Sequence, residues 1–446
     1  MAPACRSVRG SRASLTISFP SRNCRATAFR GGARSPCTLV TLGAKYEWWK
    51  RTSPYGTVAS FAGDVGRTAM KGNILTPAGW VFGEIHAGPD GRIERIDGVP
   101  ATPDGNDAPY VLPGFVDLLN HGGGGKDFMD GEAAVPAILR AHVRYGTTSL
   151  LGSTMTAPPE VLLAALQGLK RAGRARPPGA ARMLGVHLEG PYINPGKLGA
   201  QPDASAIATP GQLEQYLDSA PIRVVTLAPE LPGHLDIIRM LAKRGVRAQL
   251  GHTLGTYEDA VAALEAGASG FTHLFNAMTP LQHRAPGMVA AALAHAEFAE
   301  LIPDLVHVHP GAIRAALRAI PRLYAVTDAT AAAGMPDGVY HLGSQTVYKS
   351  DGSVRLADGT LAGSVLTMDQ ALRNFVAIGL DLEDAARRVS LYPAQYLGLT
   401  DRGALAPGCW ADVVVLDRAL SVRSVYAEGE CCVDNAQYLR KLTGTR

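Results

Sequence analysis

The stretch from Gly251 to Met278 reads GHTLGTYEDAVAALEAGASGFTHLFNAM, and it decides the fold. Apolar residues recur in it at helical spacing, with Thr256 suited to cap the helix and Gly267 suited to end it. Short apolar runs precede and follow this helix. The stretch therefore predicts a strand that ends at His252, a helix, and a second strand that ends at His273.

The two histidines lie 21 residues apart, which is the length of one strand–helix unit. In a parallel β/α barrel, neighbouring strands end at the same rim, and the active sites of such barrels lie there. Two neutral imidazoles at one rim are natural ligands for a transition metal. The alternative is that the histidines are unrelated, one capping a helix and the other packed in the core. The spacing favours the metal site.

Strand candidates alternate with helical patterns through the middle of the chain, as a (β/α)8 barrel of the TIM type requires. The eight strand candidates are Gly114–Leu119, Thr148–Gly152, Met183–Glu189, Ile222–Leu227, Val246–Leu250, Gly270–His273, Leu301–His307 and Leu323–Asp328. The clearest helical patterns are Ala133–Tyr145, Pro159–Arg171, His234–Lys243 and Gly311–Ala319. A doubly wound open sheet is the competing α/β fold, but no glycine-rich dinucleotide fingerprint follows the first strand.

Short β patterns occur near both ends of this α/β region. They are Gly72–Thr76, Gly79–His86 and Arg92–Ile96 on the N-terminal side, and Ala411–Asp417 and Ser421–Tyr426 on the C-terminal side. Turn signals separate the strands of each block. We therefore predict a small β-sandwich domain formed by both chain ends. The predicted divisions are a leader at 1–67, sandwich at 68–112, barrel at 113–400, and sandwich with a tail at 401–446.

Residues 1–67 carry eleven Lys and Arg against Glu47 and Asp64, a net charge of +9. The remaining residues carry 32 basic and 37 acidic side chains, a net charge of −5, so the overall charge of +4 is no argument for nucleic-acid binding. We expect the leader to be disordered and irrelevant to catalysis. It is either an organelle transit peptide or the product of a start codon assigned too early. The second interpretation, with translation beginning at or near Met70, is favoured.

The composition, with 46% hydrophobic and 18% charged residues, is that of an ordinary soluble protein. No run approaches the roughly 20 apolar residues that a membrane span needs. The six cysteines form neither CxxC pairs nor a disulfide framework. We therefore expect a reducing, cytoplasmic compartment and neither a membrane nor a nucleic-acid partner.

Further polar residues stand at other predicted strand ends. His187 and Glu189 end the third strand and share one face, because alternate residues of a strand point the same way. With His252 and His273, Glu189 completes a His2Glu ligand set that leaves coordination positions for water and substrate. We assign His187 either a structural role or the role of orienting a metal ligand, because a buried histidine is often satisfied by hydrogen bonds alone.

Asp328 ends the eighth predicted strand. A carboxylate beside a metal site is placed to act as general base and then as general acid for a leaving amine. The alternative is that Asp328 caps a turn, which is the commoner role of an aspartate at a strand end. Its position in this barrel favours the catalytic role.

Loops after the sixth and seventh strands carry candidate substrate contacts. Asn276, Ala277 and Arg284 follow the sixth strand, where backbone amides and a guanidinium suit a phosphate or a carboxylate. The alternative for Arg284 is a solvated loop residue. We interpret His307 as a contact that polarises a carbonyl group, and His309 has no assigned role.

Five motifs together resemble those of the N-acetylglucosamine-6-phosphate deacetylases, which belong to the amidohydrolase superfamily. They are Pro113-Gly-Phe-Val-Asp117, His187-Leu-Glu-Gly-Pro191, Gly251-His252, Thr272-His-Leu-Phe-Asn-Ala-Met278 and Val326-Thr-Asp-Ala329. The similarity extends from about residue 72 to residue 417. The combination of HLEGP with THLFNAM is specific to this branch of the superfamily.

The resemblance implies a homodimeric enzyme of amino-sugar catabolism. Its implied reaction is the metal-dependent hydrolysis of N-acetyl-D-glucosamine 6-phosphate to D-glucosamine 6-phosphate and acetate. The implied metal ligands are Glu189, His252 and His273, and the implied catalytic acid and base is Asp328. The implied substrate contacts are Asn276, Ala277 and Arg284 at the phosphate, with His307 and Gln201 elsewhere on the substrate. In such homodimers the phosphate-binding arginine can come from the other subunit, so Arg284 is a candidate to act there.

Three positions depart from the family's pattern. Family members with two metals carry His-x-His after the first strand, but here Leu119 takes the first position and only His121 remains as a remnant of a second site. We therefore expect one divalent metal ion per chain, which is zinc, iron, manganese or cobalt. Gln201 stands where the family usually has His, and an amide does not become a cation at neutral pH. Pro303 lies in the predicted seventh strand and is expected to distort the approach to His307.

Two rival functions remain at this point. One is a related amidohydrolase that acts on another N-acyl amino sugar phosphate or on a cyclic amide. The other is a weakly active sugar-phosphate-binding protein, which the departures at Leu119, Gln201 and Pro303 favour. The retained set of metal ligands and the acid–base residue favour an active deacetylase.

Overall fold

The helix in the Gly251–Met278 stretch forms as predicted. In the computed structural model, it spans Tyr257–Ala266. The side chain of Thr256 accepts a hydrogen bond from the Asp259 amide at 3.1 Å, and the Asp259 carboxylate accepts one from the Thr256 amide at 2.8 Å. Gly267 ends the helix in the left-handed region, with φ of 110°. A capping box and a C-terminal glycine thus define both ends of the helix from local sequence.

The structure describes residues 70–435. The predicted leader at 1–67 and the end of the predicted tail lie outside the described residues. Within the described part of the chain, no helix is both long and apolar enough to span a membrane.

Eight parallel strands form the barrel that the sequence predicted. They are Phe115–Asp117, Thr147–Ser153, Arg182–Glu189, Ile222–Leu227, Arg247–Leu250, Gly270–Phe271, Phe298–Leu301 and Arg322–Ala325. The first six pair in one sheet and the last two in another. Hydrogen bonds of 2.8 Å from the Leu274 amide to the Glu300 carbonyl and from the Asp328 amide to the Leu119 carbonyl link the two sheets on both sides. The strands therefore close into a ring.

Helices alternate with these strands and bury one apolar face each. They are Val135–Val143, Pro159–Ala172, Pro210–Ser219, His234–Lys243, Tyr257–Ala266, Gly287–His295, Pro310–Ala319, Met368–Ala377, Leu382–Val389 and Leu391–Tyr396. In His234–Lys243, for instance, the buried residues Ile237, Ile238 and Leu241 follow the helical repeat. Helical periodicity is therefore a reliable guide to this layer.

The seventh strand corrects the prediction from the sequence. It spans Phe298–Leu301 and ends where the predicted strand, Leu301–His307, was expected to begin. Pro303 follows the strand, so the expected distortion of a strand leading to His307 was wrong. The Asp304 carboxylate accepts hydrogen bonds from the amides of Val306 and His307, at 2.9 and 2.8 Å. These bonds fold the segment into a turn and place His307 in a loop.

Both chain ends contribute to one seven-stranded sheet, which is the predicted small β region. Its spatial order is Glu430–Asp434, Val422–Ala427, Val413–Leu416, Tyr110–Pro113, Met70–Thr76, Gly79–Ala87 and Ile93–Pro100. Tyr110–Pro113, which the sequence analysis missed, pairs with Val413–Leu416 on one side and with Met70–Thr76 on the other. This strand therefore joins the two ends of the chain. The domain limits at residues 112 and 400 stay predictions.

A second unpredicted feature is a three-stranded antiparallel sheet that follows the eighth barrel strand. Its strands are Gly338–Leu342, Gln345–Ser350 and Ser353–Arg355. Buried side chains of this sheet, Leu342, Val347 and Val354, pack with Met155 in a small apolar cluster of their own. The sheet thereby holds its connecting segments against the mouth of the barrel.

A cluster of ion pairs joins the C-terminal strands of the seven-stranded sheet to the barrel. Arg182, at the start of the third barrel strand, donates two hydrogen bonds to the Glu428 carboxylate, at 2.8 and 2.6 Å. Arg402 donates to the same carboxylate and to buried Asp412. Burial raises the pKa of Glu428, but the hydrogen bonds from Arg182 and Arg402 outweigh burial and lower the pKa to about 2. The charged form of Glu428 is therefore strongly favoured by the fold.

We predict that Glu428→Gln lowers the free energy of unfolding by about 3 kcal/mol at pH 7, because it removes the charged partner of Arg182 and one of the two charged partners of buried Arg402. Urea unfolding measures this change. A carboxylate whose pKa is lower in the folded than in the unfolded protein contributes its full stabilisation at pH values above its pKa in the unfolded state. This stabilisation is lost as the pH falls through its pKa in the folded state. The difference between wild type and variant should therefore shrink between about pH 5 and about pH 2.

The matched control is Glu132→Gln, which removes an exposed ion pair with Arg171. We expect this control to change stability by less than about 1 kcal/mol at any pH. Equal effects of the two variants would contradict the assigned role of Glu428.

Candidate metal centre

Three predicted ligands converge at the C-terminal mouth of the barrel. Glu189 is the last residue of the third strand, while His252 and His273 follow the fifth and sixth strands by two residues each. Both histidines have positive φ, 49° for His252 and 31° for His273. Such left-handed backbone is uncommon for residues other than glycine and concentrates at functional sites.

The ligand atoms of these side chains lie close together. The Nε2 atoms of His252 and His273 are 3.0 Å apart, and they lie 3.3 and 3.2 Å from Oε1 of Glu189. Within residues 70–435, these are the only three side chains of metal-binding type whose ligand atoms all lie within 4.8 Å of one another. Two nitrogens and one oxygen that face a common point form a donor set that suits a divalent transition metal.

The surroundings of His252 fix its ligand atom. Its Nδ1 lies 2.8 Å from the carbonyl oxygen of Lys197, so Nδ1 carries the proton and donates it. The Nε2 atom therefore presents its lone pair to the centre, as a metal-ligating imidazole requires. The residues present thus fit a metal ion.

The Glu189 carboxylate is ionised in this setting. Burial raises its pKa, but the hydrogen bond from His121 and the closeness of the imidazoles of His252 and His273 outweigh burial and hold the pKa well below its usual value. An ionised carboxylate with three imidazoles around it carries the charge that a divalent cation needs in a buried site.

His121 lies between Glu189 and Asp328. Its Nε2 is 3.0 Å from Oε2 of Glu189 and 3.2 Å from Oδ1 of Asp328. Burial lowers the pKa of His121, but hydrogen bonds with both carboxylates outweigh it and raise the pKa well above the usual value. Leu119, which occupies the other position of the expected His-x-His pair, is fully buried. His121 therefore belongs to the site. That it is a remnant of a second metal site stays a prediction.

Asp328 is positioned by backbone hydrogen bonds to two other segments. Its φ is 49°, its amide donates to Leu119, and its carbonyl oxygen accepts from the Ser364 amide at 2.7 Å. Its carboxylate borders the same cavity as the three candidate ligands. This position suits the predicted acid–base role.

Gln201 contacts one of the candidate metal ligands directly. Its Nε2 donates to Oε2 of Glu189 at 2.8 Å, and its Oε1 accepts from the Thr156 amide at 2.7 Å. The side chain is buried, with 4% of its surface exposed, and it also borders the cavity. The predicted contact of Gln201 with substrate stays a prediction.

His307 faces the cavity from the loop after the seventh strand. Its Nδ1 lies 2.6 Å from the carboxylate of Asp304. Burial lowers the pKa of His307, but the hydrogen bond and the charge of Asp304 outweigh it and raise the pKa. Because Asp304 binds Nδ1, the Nε2–H of His307 is the group available to a ligand.

The cavity has a volume of about 370 Å³ and brings together most of the predicted residues. Asn276 and Ala277 border it, but Arg284 does not. Arg284 lies in the exposed segment 281–285 and forms no ion pair within residues 70–435. Its predicted contact with phosphate therefore requires a different loop position or a second subunit.

Several residues at the cavity were not singled out in the sequence. Lys197 lines it and, within the described part of the chain, is its only lysine or arginine. Leu342, Thr360 and Leu361 reach it from the unpredicted three-stranded sheet and the segment after it. Lys197 lies four residues before Gln201 in the same loop, and this closeness in sequence could have indicated that Lys197 also borders the cavity. The other three had none, because their approach depends on tertiary packing.

Two of the histidines considered in the sequence, His187 and His309, lie outside the cluster. His187 is fully buried, with Nδ1 2.8 Å from the Leu118 carbonyl oxygen and Nε2 2.7 Å from the Thr226 hydroxyl. Burial lowers its pKa to about 4, so it is neutral. These bonds agree with the structural role proposed for it. His309 caps helix Pro310–Ala319 by accepting a hydrogen bond from the Gly311 amide at 3.0 Å.

Comparison with known proteins places this site in context. The model of the amidohydrolase family matches residues 110–434. An N-acetylgalactosamine-6-phosphate deacetylase from Escherichia coli O157:H7 is 40% identical over 80% of this chain and 97% of that protein. An N-acetylglucosamine-6-phosphate deacetylase from Rattus norvegicus is 39% identical over 72% of this chain and 82% of that protein.

Solved structures agree with these sequence relatives. N-acetylglucosamine-6-phosphate deacetylase from Thermotoga maritima superposes with a TM-score of 0.75 at 32% identity, over 82% of this chain and 99% of that one. A mutant of the Mycobacterium smegmatis enzyme, in complex with N-acetyl-D-glucosamine 6-phosphate, has a TM-score of 0.74 at 39% identity, over 81% and 97% of the two chains.

We predict that Glu189→Ala and His252→Ala each reduce the bound metal to less than about a tenth of the wild-type content, because two protein ligands do not hold a divalent ion tightly. Metal analysis of the purified proteins by mass spectrometry measures this content. His295→Ala is the control, since His295 is exposed, contacts Tyr257 and does not border the cavity. Full metal content in the Glu189 variant would contradict the assigned centre.

Proposed function

The chain belongs to the amidohydrolase family, and we propose that it hydrolyses N-acetyl-D-glucosamine 6-phosphate to D-glucosamine 6-phosphate and acetate. The observation that carries the proposal is the cluster of Glu189, His252 and His273 beside Asp328 in one cavity. A cavity of about 370 Å³ suits a small sugar phosphate. The names of the relatives, and the sugar phosphate bound to the enzyme from Mycobacterium smegmatis, support this choice of substrate.

The proposed reaction divides its work between a metal ion and the chain's own side chains. A divalent ion held by Glu189, His252 and His273 would supply the positive charge that polarises the amide carbonyl and the attacking water. Asp328 accepts the proton of that water as it attacks the acetyl carbon. Asp328 then returns the proton to the amine nitrogen as the carbon–nitrogen bond breaks.

His307 acts on the oxygen of the amide group in this proposal. Its Nδ1 is held by Asp304, so its Nε2–H is free to donate a hydrogen bond into the cavity. A donor that is fixed before the substrate arrives stabilises the negative charge that develops on the carbonyl oxygen. The raised pKa of His307 favours the protonated, donating form.

The phosphate group is proposed to lie near Asn276, Ala277 and Lys197, which border the same cavity. Arg284 joins them from a second subunit of a homodimer, because in its own chain the exposed segment 281–285 does not border this cavity. Binding a distant phosphate holds the amide in place for attack.

The finer details of the cofactor and location are also proposals. Leu119 offers no lone pair, so we propose one ion per chain, which is zinc, iron, manganese or cobalt. We propose a cytoplasmic enzyme, consistent with the cysteine content. A sugar-phosphate-binding protein without activity is the rival, and it would bind substrate without releasing acetate.

We predict release of acetate from N-acetyl-D-glucosamine 6-phosphate, and a fall in kcat by a factor of about 10²–10⁴ in Asp328→Asn, because an amide does not accept or return the proton. A coupled acetate assay gives the rate, and metal analysis of the same samples shows whether the variant retains its ion. Binding of substrate without acetate from metal-loaded wild-type protein would favour the rival.

N-acetyl-D-galactosamine 6-phosphate is a second candidate substrate. The relative from Escherichia coli O157:H7, which matches this chain over 97% of its length, is named as a deacetylase of that compound. The two sugars differ only in the orientation of the hydroxyl at C4. We predict a higher kcat/KM for the glucosamine compound, and the same assay run with both sugars decides. A preference of more than about tenfold for the galactosamine compound, worth about 1.4 kcal/mol, would reassign the substrate.

The role of Arg284 across subunits gives a further test. We predict that Arg284→Ala raises KM. When subunits of Arg284→Ala and Asp328→Asn are mixed, half of the randomly paired dimers contain one subunit of each kind. Each such dimer holds one intact site of two, so up to about a quarter of the wild-type sites should be recovered. Activity of the mixture after unfolding and refolding together measures this recovery. Absence of recovery from a mixture that has exchanged subunits would leave Lys197 as the cation for the phosphate.

A further inference from the structure

The two oxygens of Glu189 face different neighbours. Oε1 lies 3.3 and 3.2 Å from the Nε2 atoms of His252 and His273. Oε2 lies 2.8 Å from Nε2 of Gln201 and 3.0 Å from Nε2 of His121. One oxygen therefore faces the candidate ligands, while two nitrogen donors occupy the other.

The orientation of the Gln201 amide is determined by its partners. The Thr156 amide is a donor and lies 2.7 Å from one terminal atom of Gln201, so that atom is the oxygen. The other terminal atom, which lies 2.8 Å from Oε2 of Glu189, is then the NH2 group and donates to that oxygen. Both bonds require the same orientation, and flipping the amide would lose both of them.

Gln201 belongs to a loop that also orients a second ligand. The loop from Asn194 to Gln201 presents the carbonyl oxygen of Lys197 to Nδ1 of His252 at 2.8 Å. The loop is itself anchored, because the Asn194 amide donates to the His252 carbonyl at 2.9 Å and its side chain donates to Glu230 at 2.9 Å. One short loop thus supplies the groups that orient two of the three ligands, His252 and Glu189.

We propose that Gln201 is a positioning residue for the metal centre, which holds Oε2 of Glu189 and leaves Oε1 as the single oxygen that binds the ion. The inference deepens the proposed function and rests on its assignment of Glu189 as a ligand. Gln201 acts with His121 on one oxygen, and with the Thr156 amide it ties the end of the third strand to the segment after the second. Partners that orient a ligand in this way contribute strongly to metal affinity.

The competing role is the direct contact with substrate that the family resemblance implied. Gln201 borders the cavity, so its second N–H is close to the space for a ligand. The two roles differ in what they change. A positioning residue changes the affinity for the metal ion, whereas a substrate contact changes KM and leaves the metal ion in place.

The test compares full-length protein loaded with Zn²⁺ in four forms: wild type, Gln201→Met, Gln201→Asn and Gln215→Met. Methionine matches the length of glutamine without its donor, and asparagine is too short to bridge Thr156 and Glu189. Asparagine leaves space rather than filling it, so it guards against a misfolded methionine variant. Gln215 is exposed on helix Pro210–Ser219 and is the matched control.

Zinc affinity is measured by competition with a chelator, and KM and kcat for N-acetyl-D-glucosamine 6-phosphate are measured at saturating zinc. We expect both Gln201 variants to bind zinc about 10–100-fold more weakly, with KM unchanged once the site is full. Gln215→Met should match wild type in both measurements.

Unchanged zinc affinity in the two Gln201 variants would overturn the proposal, whether or not KM rises. A rise in KM alone would restore Gln201 to the role of a substrate contact. The zinc measurement needs no turnover, so it decides the role of Gln201 even if the proposed substrate is wrong. Failure of the proposed function would appear instead as absence of acetate from the zinc-loaded wild type.

Discussion

The buried negative charge of Glu189 is the constraint on which the site depends. An unpaired carboxylate in a protein interior costs several kcal/mol, so it requires compensating groups on every side. Here His121, His252, His273 and Gln201 all lie within hydrogen-bonding distance of its two oxygens. These four residues come from four different segments of the chain. The carboxylate therefore defines where those segments must meet, and a divalent ion would complete the compensation.

The barrel makes this meeting possible because all of its strands end at one rim. The candidate ligands and Asp328 stand directly at strand ends or just beyond them, and His252, His273 and Asp328 all have left-handed backbone. Hydrogen bonds between adjacent strand ends, such as that from the Asp328 amide to Leu119, hold these strained turns in place. The rigid closure of the ring thus supports conformations that isolated turns would rarely adopt.

Residues behind the rim decide the orientation of each functional group. Lys197 selects the tautomer of His252 through its carbonyl group, and Asp304 does the same for His307 through its carboxylate. Gln201 selects one oxygen of Glu189. Asp304 lies three residues before His307 in one turn, whereas Lys197 and Gln201 are far in sequence from the ligand that each orients or have no regular spacing from it. Their roles follow from loop geometry, and loop geometry is the part of the fold with the weakest sequence signal.

Local sequence determined the elements of this protein and the chemistry at their ends. The capping box of Thr256, the stop at Gly267 and the helical repeat of His234–Lys243 all act within a few residues, so they could be read directly. The ligand types Glu189, His252 and His273, with their strand–helix spacing, already indicated a metal site at one rim. Only side-chain chemistry and short-range periodicity were needed for these predictions.

Tertiary structure decided what depends on distant contacts. The seventh strand lies at Phe298–Leu301 because that segment pairs with Arg322–Ala325. The amides of Val306 and His307 instead bond to the nearby Asp304 side chain. Tyr110–Pro113 became a strand because both chain ends supply it with partners. Gln201 came to lie on Glu189, and Arg284 came to lie outside the cavity, through the paths of long loops. The sequence alone determined which groups the site contains, whereas packing between distant segments decided which atoms of those groups meet.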